Sequence, residues 1–292
     1  MSDTLVTLTN HHLEAQLHPA LGARIGRLRR HAQTSFDYLR PIDPNHFDLS
    51  RWQRAGCFAM LPFTNKLPGN TLIGSERAIQ VAAPGAGALL HGWGLRNAWR
   101  VVEKTSAHCT MMYAANASNE WPWAYRATFA FSLGPASLHV ALSIVNESGQ
   151  PMPVGLGLHP YFSLGSRTAV TVESHARWQA DSSSDGLPVI REPLDQTLRL
   201  NLQGKTGPEE TLTWFCEIDE TDRAIAVIDY PDEGRRVTLH STHATHLVVH
   251  ARAGEPFVCL EPCSHLAGKL VTPVDCAYPG EPFVLQMRLE LE

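Results

Sequence analysis

Apolar and polar residues alternate with a period of two along much of this chain, and this pattern limits most strongly what it can fold into. In residues 125–131, YRATFAF, every odd-numbered position is Ala or aromatic, so these side chains share one face of an extended strand. After the turn signal Gly134-Pro135, residues 138–144, LHVALSI, repeat the alternation, and the two stretches predict a hairpin. The last ten residues, FVLQMRLELE, predict a closing strand with one solvated face.

Short strands of the same kind are predicted along the rest of the chain, whereas helical periodicity is nearly absent. One short helix is expected at 48–55. The many strands, separated by Gly, Pro, Asn and Ser clusters, predict an all-β fold, a large antiparallel sandwich or barrel with few short helices. No linker divides the chain, so we expect a single domain over residues 1–292. The further predicted strands are 5–8, 23–28, 78–81, 99–102, 109–113, 170–172, 224–228, 237–239, 247–250 and 257–260.

Charge and cysteine content limit the partners and the compartment. The chain has 24 Lys and Arg against 29 Asp and Glu, with no basic cluster, which argues against nucleic acid and against anionic membranes as partners and favours a small polar ligand. No signal peptide and no apolar run of membrane-spanning length is found. The 6 cysteines are too sparse for a disulfide scaffold. We expect a soluble cytoplasmic protein, monomeric or homodimeric, with reduced thiols.

Several common catalytic signatures are absent from the sequence. It has no G-x-S-x-G elbow and no H-E-x-x-H pair. The stretch Gly204-Lys205-Thr206 is not a P-loop, because Arg199 stands where the motif needs its first glycine. Leu90 likewise replaces the last small residue of a dinucleotide fingerprint that would begin at Gly85. The sequence therefore lacks the usual motifs for nucleotide hydrolysis and for hydride transfer with a dinucleotide.

The histidine-rich residues 240–250, followed by Cys259 and Cys263, raise the hypothesis of a metal site. His246 and His250 would share one face of a strand, but their positions would lie about 13 Å apart, too far for one ion. The two cysteines also lack the C-x-x-C spacing that holds zinc tightly. We therefore predict no metal and no other cofactor.

The octapeptide GLGLHPYF at residues 155–162 places a histidine among residues typical of a pocket wall. Pro160 disfavours the α conformation for His159, so His159 is expected at a strand end or in a loop. Gly155 and Gly157 leave room for a close approach, here interpreted as space for a ligand. From this stretch alone, a structural histidine and a functional one both stay open.

Three other segments combine polar groups with glycines, prolines and aromatic residues. They are residues 62–70 (PFTNKLPGN), 89–93 (LLHGW) and 257–265 (FVCLEPCSH). In the last of these, Glu261 is predicted to end an apolar strand before Pro262. An apolar setting raises the pKa of a carboxyl group, as a general base that works near neutral pH requires. A solvated Glu at a strand end is the structural alternative.

The four segments together resemble the aldose 1-epimerase (galactose mutarotase) family, in the same order and with similar spacing along nearly the whole chain. The resemblance is closest to the bacterial mutarotase-like branch, whose last motif matches EPCSH at 261–265. It implies the fold called the antiparallel β-supersandwich. The family carries an Asn-Arg pair, an HG segment, an HPYF segment and an EP strand end, which correspond here to Asn65-Lys66, His91-Gly92, residues 159–162 and Glu261-Pro262.

The resemblance implies a reaction and a role for individual residues. Glu261 would be the general base that takes the proton of the anomeric hydroxyl, and His159 the general acid that protonates the ring oxygen of a free hexose. Asn65, Lys66 and His91 would hold sugar hydroxyls. Two aromatic residues, Trp93 and Tyr161, are further candidates because their rings could stack on the apolar face of a pyranose.

Two departures from the family pattern keep other functions open. Lys66 replaces the usual arginine, which removes a bidentate grip on hydroxyls. The substrate-binding aspartate of the family has no clear counterpart, and Thr213 lies near its expected place. One alternative is an epimerase of phosphorylated hexoses, which should show a cluster of cations; the sequence suggests only Lys66 and Arg96 for it. The other is a sugar-binding protein without catalysis, against which the intact His159 and Glu261 argue.

Overall fold

Two large antiparallel sheets form the body of the protein, which confirms the predicted all-β class. The computed structural model describes residues 5–31, 35–47, 53–73, 78–80, 90–181, 183–204, 207–219, 223–270 and 275–292. Within these ranges helix is limited to 3₁₀ turns at Pro19–Leu21, Pro44–His46, Pro68–Asn70 and Gly94–Arg96. None of these turns is long or apolar enough to span a membrane.

The first sheet has ten strands and the second has nine, and two small ribbons accompany them. In spatial order the first sheet contains β1 (Val6–Thr9), β2 (Leu13–His18), β3 (Arg24–Arg30), β4 (Cys57–Met60), β12 (Gly157–Ser163), β21 (Phe257–Cys263), β20 (His246–Ala251), β17 (Leu212–Glu217), β14 (Ala176–Ala180) and β15 (Pro188–Pro193). The second contains β16 (Leu198–Gln203), β13 (Arg167–Val172), β18 (Ala224–Tyr230), β19 (Arg235–Thr242), β23 (Pro282–Leu291), β10 (Ser137–Asn146), β9 (Tyr125–Gly134), β8 (His108–Ala115) and β7 (Arg100–Lys104). The ribbons pair β5 (Thr71–Ile73) with β6 (Ala78–Gln80) and β11 (Met152–Pro153) with β22 (Cys276–Ala277).

The alternating stretches form the hairpin and the closing strand that they predict. Strands β9 and β10 pair with Gly134 opposite Ser137, so the turn contains only two residues. Strand β23 lies between β10 and β19, in the middle of the second sheet. Its apolar side chains enter the core, where one continuous cluster joins inward residues of both sheets. Burial of this alternating face is the main force that holds the sheets together.

The predicted helix at 48–55 falls mostly outside the described residues. Its last three positions, 53–55, have no regular structure. A buried cation, Arg24, fixes this segment, because its guanidinium donates hydrogen bonds to the carbonyl oxygens of Gln53 (3.1 Å) and Ala55 (2.7 Å). The same guanidinium lies 4.5 Å from the ring centre of Phe58, in a cation–π contact. Tertiary contacts therefore determine the conformation of this segment.

Four neighbouring strands of the first sheet, β12, β21, β20 and β17, place side chains from distant parts of the sequence in rows. One row runs from Tyr161 to Cys259, His250 and Thr213, which are successive cross-strand partners. The next row contains Glu261 opposite Val248. Because alternate residues of a strand share a face, these rows line the same side of the sheet, which is where the candidate site lies.

Candidate active site

A cavity of about 660 Å³ opens on the face of the first sheet that carries these rows. Its size is typical of sites for small molecules. Six of the seven site residues predicted from the sequence line it, and they come from two loops and two strands. The six are Asn65, Lys66, His91, His159, Tyr161 and Glu261.

An imidazole and a carboxyl group face each other in this cavity. Nε2 of His159 lies 3.4 Å from Oε1 of Glu261, and both side chains are almost completely buried. The prediction that each residue stands at a strand end is wrong, because both lie inside strands, His159 in β12 and Glu261 in β21. Strand β21 continues past Pro262, since the carbonyl oxygen of Cys263 accepts a hydrogen bond from the amide of Thr245. Two adjacent strands thus hold the pair rigidly.

Burial changes the protonation of both groups. Loss of hydration raises the pKa of Glu261 to about 8. It also lowers the pKa of His159 well below its ordinary value, and the nearby His91, His250 and Arg24 lower it further. Near neutral pH, the proton that the pair carries therefore resides mainly on the carboxyl group, and the imidazole is neutral.

Aromatic rings fix the plane of the His159 imidazole. The ring of Tyr161 stacks on it at a centroid distance of 4.6 Å and an angle of 12°. Phe58 approaches at 4.7 Å. Tyr161 lines the cavity but is only 2% exposed, so its position favours support of His159 over a broad contact with a sugar ring.

Two hydrogen bonds, one between backbone groups and one to the His91 ring, join Asn65 and His91. The amide of His91 donates to the carbonyl oxygen of Asn65 (2.8 Å), and the amide of Asn65 donates to Nδ1 of His91 (3.0 Å). Both residues have positive φ, 54° and 60°, a conformation that Asn and His tolerate better than most residues. Because Nδ1 accepts and burial lowers the pKa of His91 to about 3, the ring is neutral and carries its hydrogen on Nε2.

Gly92 explains why the HG segment needs a glycine. Its φ is 65°, and an added Cβ would overlap the carbonyl group of Leu61. The amide of Trp93 donates to that same carbonyl oxygen at 2.9 Å. The glycine therefore allows this loop to pack against Leu61 and keeps His91 next to Asn65.

Lys66 forms an ion pair across the mouth of the cavity. Its Nζ lies 2.6 Å from Oδ2 of Asp185 and also donates to the Asp185 carbonyl oxygen. Asp185 lies in the connection between β14 and β15, and its side chain is largely exposed. The lining thus includes a second carboxylate besides Glu261, which the sequence analysis did not identify.

His265 fixes the loop that carries Asn65. Its Nδ1 donates to the carbonyl oxygen of Leu266 (2.8 Å), so Nε2 can accept a hydrogen bond from the amide of Thr64 (3.2 Å). Burial lowers the pKa of His265 to about 4, which keeps the ring neutral. The histidine of the EPCSH segment is therefore a positioning residue.

The interpretation of Gly155 and Gly157 as space for a ligand is wrong. A Cβ at Gly155 would overlap the ring of His265, and one at Gly157 would press on the side chains of Met60 and Thr64. Neither glycine lines the cavity. Both leave room for the protein's own side chains.

We expect Gly155→Ala to lower the free energy of unfolding by about 1–3 kcal/mol, because the new methyl group must displace the buried His265 ring. Urea denaturation measures this change. Gly149→Ala is the matched control, since nothing lies within 4 Å of a Cβ added there. Equal denaturation midpoints for the two variants would contradict the packing role of Gly155.

Trp93 is the predicted site residue that does not line the cavity. Its ring packs against Phe63 and Trp121, at centroid distances of 5.8 and 5.6 Å, beside the core between the sheets. The position of Trp93 gives no support to stacking on a sugar, and we omit it from the proposed sugar contacts.

Besides Asp185, four polar residues of the lining were not predicted as site residues: Arg54, Thr213, His250 and Arg252. Thr213 lies where the family pattern leads one to expect an aspartate, and its Oγ1 is 2.9 Å from Nδ1 of His250. His250 appeared in the sequence only as part of a histidine-rich run. The signal that could have identified it is strand register, since His250 lies opposite Cys259, two residues before Glu261.

Among the described residues, one group of side chains could hold a metal ion. Ligand atoms of His159, Cys259 and Glu261 lie within 4.8 Å of one another. Burial raises the pKa of the Cys259 thiol well above its ordinary value, so the free thiol stays protonated, and a zinc ion would have to displace its proton. The chemistry proposed below uses the imidazole and the carboxyl group directly.

The chain is similar to known proteins along most of its length. A family model described as aldose 1-epimerase matches residues 4–282. An uncharacterised protein of Escherichia coli K12, YphB, is 26% identical over 253 residues, which are 82% of this chain and 84% of YphB.

Solved structures share the fold along almost the whole chain. A protein of E. coli K12, provisionally named an aldose 1-epimerase, superposes with a TM-score of 0.83 at 24% identity and covers 99% of both chains. A homologue of the GalM/aldose epimerases from Caenorhabditis elegans gives a TM-score of 0.81 at 14% identity, covering 99% of this chain and 98% of its own. These matches agree with the β-supersandwich expected from the sequence.

Proposed function

The chain belongs to the aldose 1-epimerase family, and we propose that it interconverts the α and β anomers of a hexose by acid–base opening and closure of the ring. The observation that carries this proposal is the buried pair of His159 and Glu261, 3.4 Å apart in a cavity large enough for a small molecule such as a sugar. A protein that only binds sugar has no use for such a pair, because burying two ionisable groups costs stability.

The reaction needs one proton acceptor and one proton donor. Glu261 takes the proton from the hydroxyl on C1 while His159 gives a proton to the ring oxygen, so the bond between C1 and that oxygen breaks and an aldehyde forms. Rotation about the C1–C2 bond presents the other face of the aldehyde. Closure reverses both proton transfers. Each positioned group of this kind contributes about 10²–10⁴-fold to the rate.

The protonation state of the free site matches the open-chain stage of this reaction. After ring opening, Glu261 carries a proton and His159 is neutral. Burial favours the same state, since it raises the pKa of Glu261 and lowers that of His159. The pair therefore shares a single proton throughout the cycle, which keeps the charge inside the cavity constant.

Neutral donors surround the pair and suit sugar hydroxyls. His91 carries its hydrogen on Nε2, because its Nδ1 accepts from the Asn65 amide. The side-chain oxygen of Asn65 accepts from the amide of Lys66 at 2.9 Å, which orients the Asn65 amide group. We propose that Asn65, His91 and Lys66 bind hydroxyl groups of the sugar, in agreement with the roles that the family resemblance implies.

Anomer exchange in sugars at equilibrium tests the proposal. Magnetisation-transfer NMR on glucose and galactose, with and without purified protein, measures the exchange rate between the two anomeric protons. We expect catalytic amounts of protein to accelerate exchange of at least one hexose. If the wild-type protein accelerates anomer exchange no more than the Glu261→Gln protein does, for every neutral and charged sugar, the proposal is overturned.

The shared proton predicts the pH dependence of kcat/KM. The active form holds one proton on the pair, so activity should be level from mildly acidic pH to about 8 and should fall above it as Glu261 loses its proton. On the acid side it should fall only well below the ordinary pKa of histidine, where His159 becomes protonated. Exchange rates measured across this range, after subtraction of the spontaneous rate at each pH, give the profile.

Activity that rises through pH 8 and then stays high would contradict the shared proton. That outcome would mean that the ionised form of Glu261 is the active one and that His159 does not have to hold a proton. The spontaneous rate, measured in the same buffers without protein, is the control for catalysis by buffer and hydroxide.

A further inference from the structure

One end of the cavity carries two arginines that were not predicted as site residues from the sequence. Arg54 and Arg252 line the same cavity as His159 and Glu261, and Lys66 lies at its mouth. Arg96, the other cation suggested by the sequence, is not among the lining residues. The whole protein carries a formal charge of −5, so this local excess of positive charge runs against the overall balance.

Acidic neighbours neutralise these cations only in part. Lys66 is paired with Asp185. Glu255 lies 3.6 Å from Arg54, but it also accepts a hydrogen bond from Arg40 at 3.0 Å, so one carboxylate serves two guanidinium groups. Among the residues that the structure describes, no carboxylate forms an ion pair with the exposed Arg252. The described surroundings of Arg54 and Arg252 therefore retain a net positive charge.

Strand register places His250 about one pyranose width, and the backbone of Arg252 about two, from the acid–base pair. His250 lies opposite Cys259, two residues before Glu261, and Arg252 is two residues beyond His250. Each two-residue step along a strand covers about 7 Å, close to the width of a pyranose ring. Long arginine side chains can reach back across part of this distance.

Polar groups between the two ends are compatible with an anion. His250 is held by Thr213, and burial lowers the pKa of its imidazole, which the charges of Arg252 and Arg54 lower further. A neutral imidazole and a hydroxyl group can both donate hydrogen bonds to an anionic oxygen. The only carboxyl groups among the lining residues, those of Asp185 and Glu261, are accounted for by Lys66 and His159.

We propose that Arg54, Arg252 and His250 form a subsite for an anionic substituent, a carboxylate or a phosphate, that the sugar carries at C6. This assignment rests on the proposed function, since it names the class of substrate for the same site. Arginine suits this task because its planar guanidinium binds both kinds of anion through paired hydrogen bonds. The substrate is then an acidic sugar, and the anion orients C1 toward Glu261 and His159.

A comparison of matched sugars tests the subsite. The probes are D-glucose, D-glucuronate and D-glucose 6-phosphate, together with the corresponding galactose series. Anomer exchange by NMR gives kcat/KM for each. We expect at least one anionic sugar to exceed its neutral parent by about 10-fold or more, the range that hydrogen bonds between charged groups provide. Preference for the carboxylate or for the phosphate distinguishes the two sources of the anion.

Arginine variants show whether the preference arises in this part of the cavity. Arg252→Gln and Arg54→Gln should each reduce the ratio of kcat/KM for the anionic over the neutral sugar by about 10-fold or more. Arg199→Gln is the matched control, because Arg199 is an exposed arginine on β16, in the other sheet. It should leave the ratio unchanged.

The outcomes separate failure of the subsite from failure of the proposed function. Ratios near one for every pair, with neutral hexoses accelerated, overturn the subsite and leave the proposed function intact. If no sugar is accelerated, the proposed function fails, and titration calorimetry with the same sugars still decides on the subsite. Tighter binding of an anionic sugar to wild type than to Arg252→Gln supports it, and equal binding overturns it.

Discussion

Replacement of Glu261 by Gln is expected to slow catalysed anomer exchange by about 10²–10⁴-fold, because the amide keeps the shape of the side chain but cannot accept a proton. The loss should appear in kcat, since sugar binding through Asn65 and His91 does not depend on this proton. NMR exchange measurements over a range of sugar concentrations separate kcat from KM.

The same substitution should leave the protein at least as stable as wild type. Burial raises the pKa of Glu261 from 4.5 in the unfolded reference to about 8, so the stability that its protonated form contributes is complete below about pH 4.5 and is lost as pH rises toward 8. Gln cannot ionise and does not suffer this loss. Urea denaturation at pH 5 and pH 8 should therefore show wild type weakening relative to Glu261→Gln.

A second carboxylate provides the control for this experiment. Glu103→Gln removes a negative charge from an exposed position on β7, remote from the cavity lining. Its exchange rate should equal that of wild type. Near-wild-type activity in Glu261→Gln protein would exclude Glu261 as the base.

The fold was predictable where only one face of a strand is buried. Strands β9, β10 and β23 alternate clearly because their outer faces meet solvent. Strand β4, Cys57–Met60, was missed, and each of its four residues is buried, so its sequence carries no alternation. His159 was predicted at a strand end for a related reason, since Pro160 suggested an interruption. Strand β12 instead continues through both residues, and all but the last of its seven residues are buried.

The acid–base pair was predictable because each partner lies in a distinctive local sequence, and both match one family. The cationic end of the cavity was not. Arg54 precedes a strand without alternation, and Arg252 follows a run of histidines that suggested a metal. What brings them together is the order of β4, β12, β21 and β20 in the first sheet, which no single segment encodes.

His159 should be as important for the reaction as Glu261. We expect His159→Gln to slow catalysed exchange by about 10²–10⁴-fold, because glutamine can donate a hydrogen bond to the ring oxygen but cannot transfer a proton to it. Glutamine also fills much of the space between Phe58 and Tyr161, which limits the loss of packing. Circular dichroism and urea denaturation check that the variant is folded.

The double variant His159→Gln, Glu261→Gln distinguishes a shared proton from two independent catalysts. If one proton moves between the two residues through the sugar, loss of either partner stops the cycle, and the double variant should be nearly as active as the slower single variant. If the groups act independently, their effects should multiply until only the spontaneous rate remains. Exchange rates of all four proteins, measured in one buffer at pH 7, decide between these outcomes. Multiplied effects would contradict the single shared proton. The predicted fall in activity above pH 8 depends on that same proton.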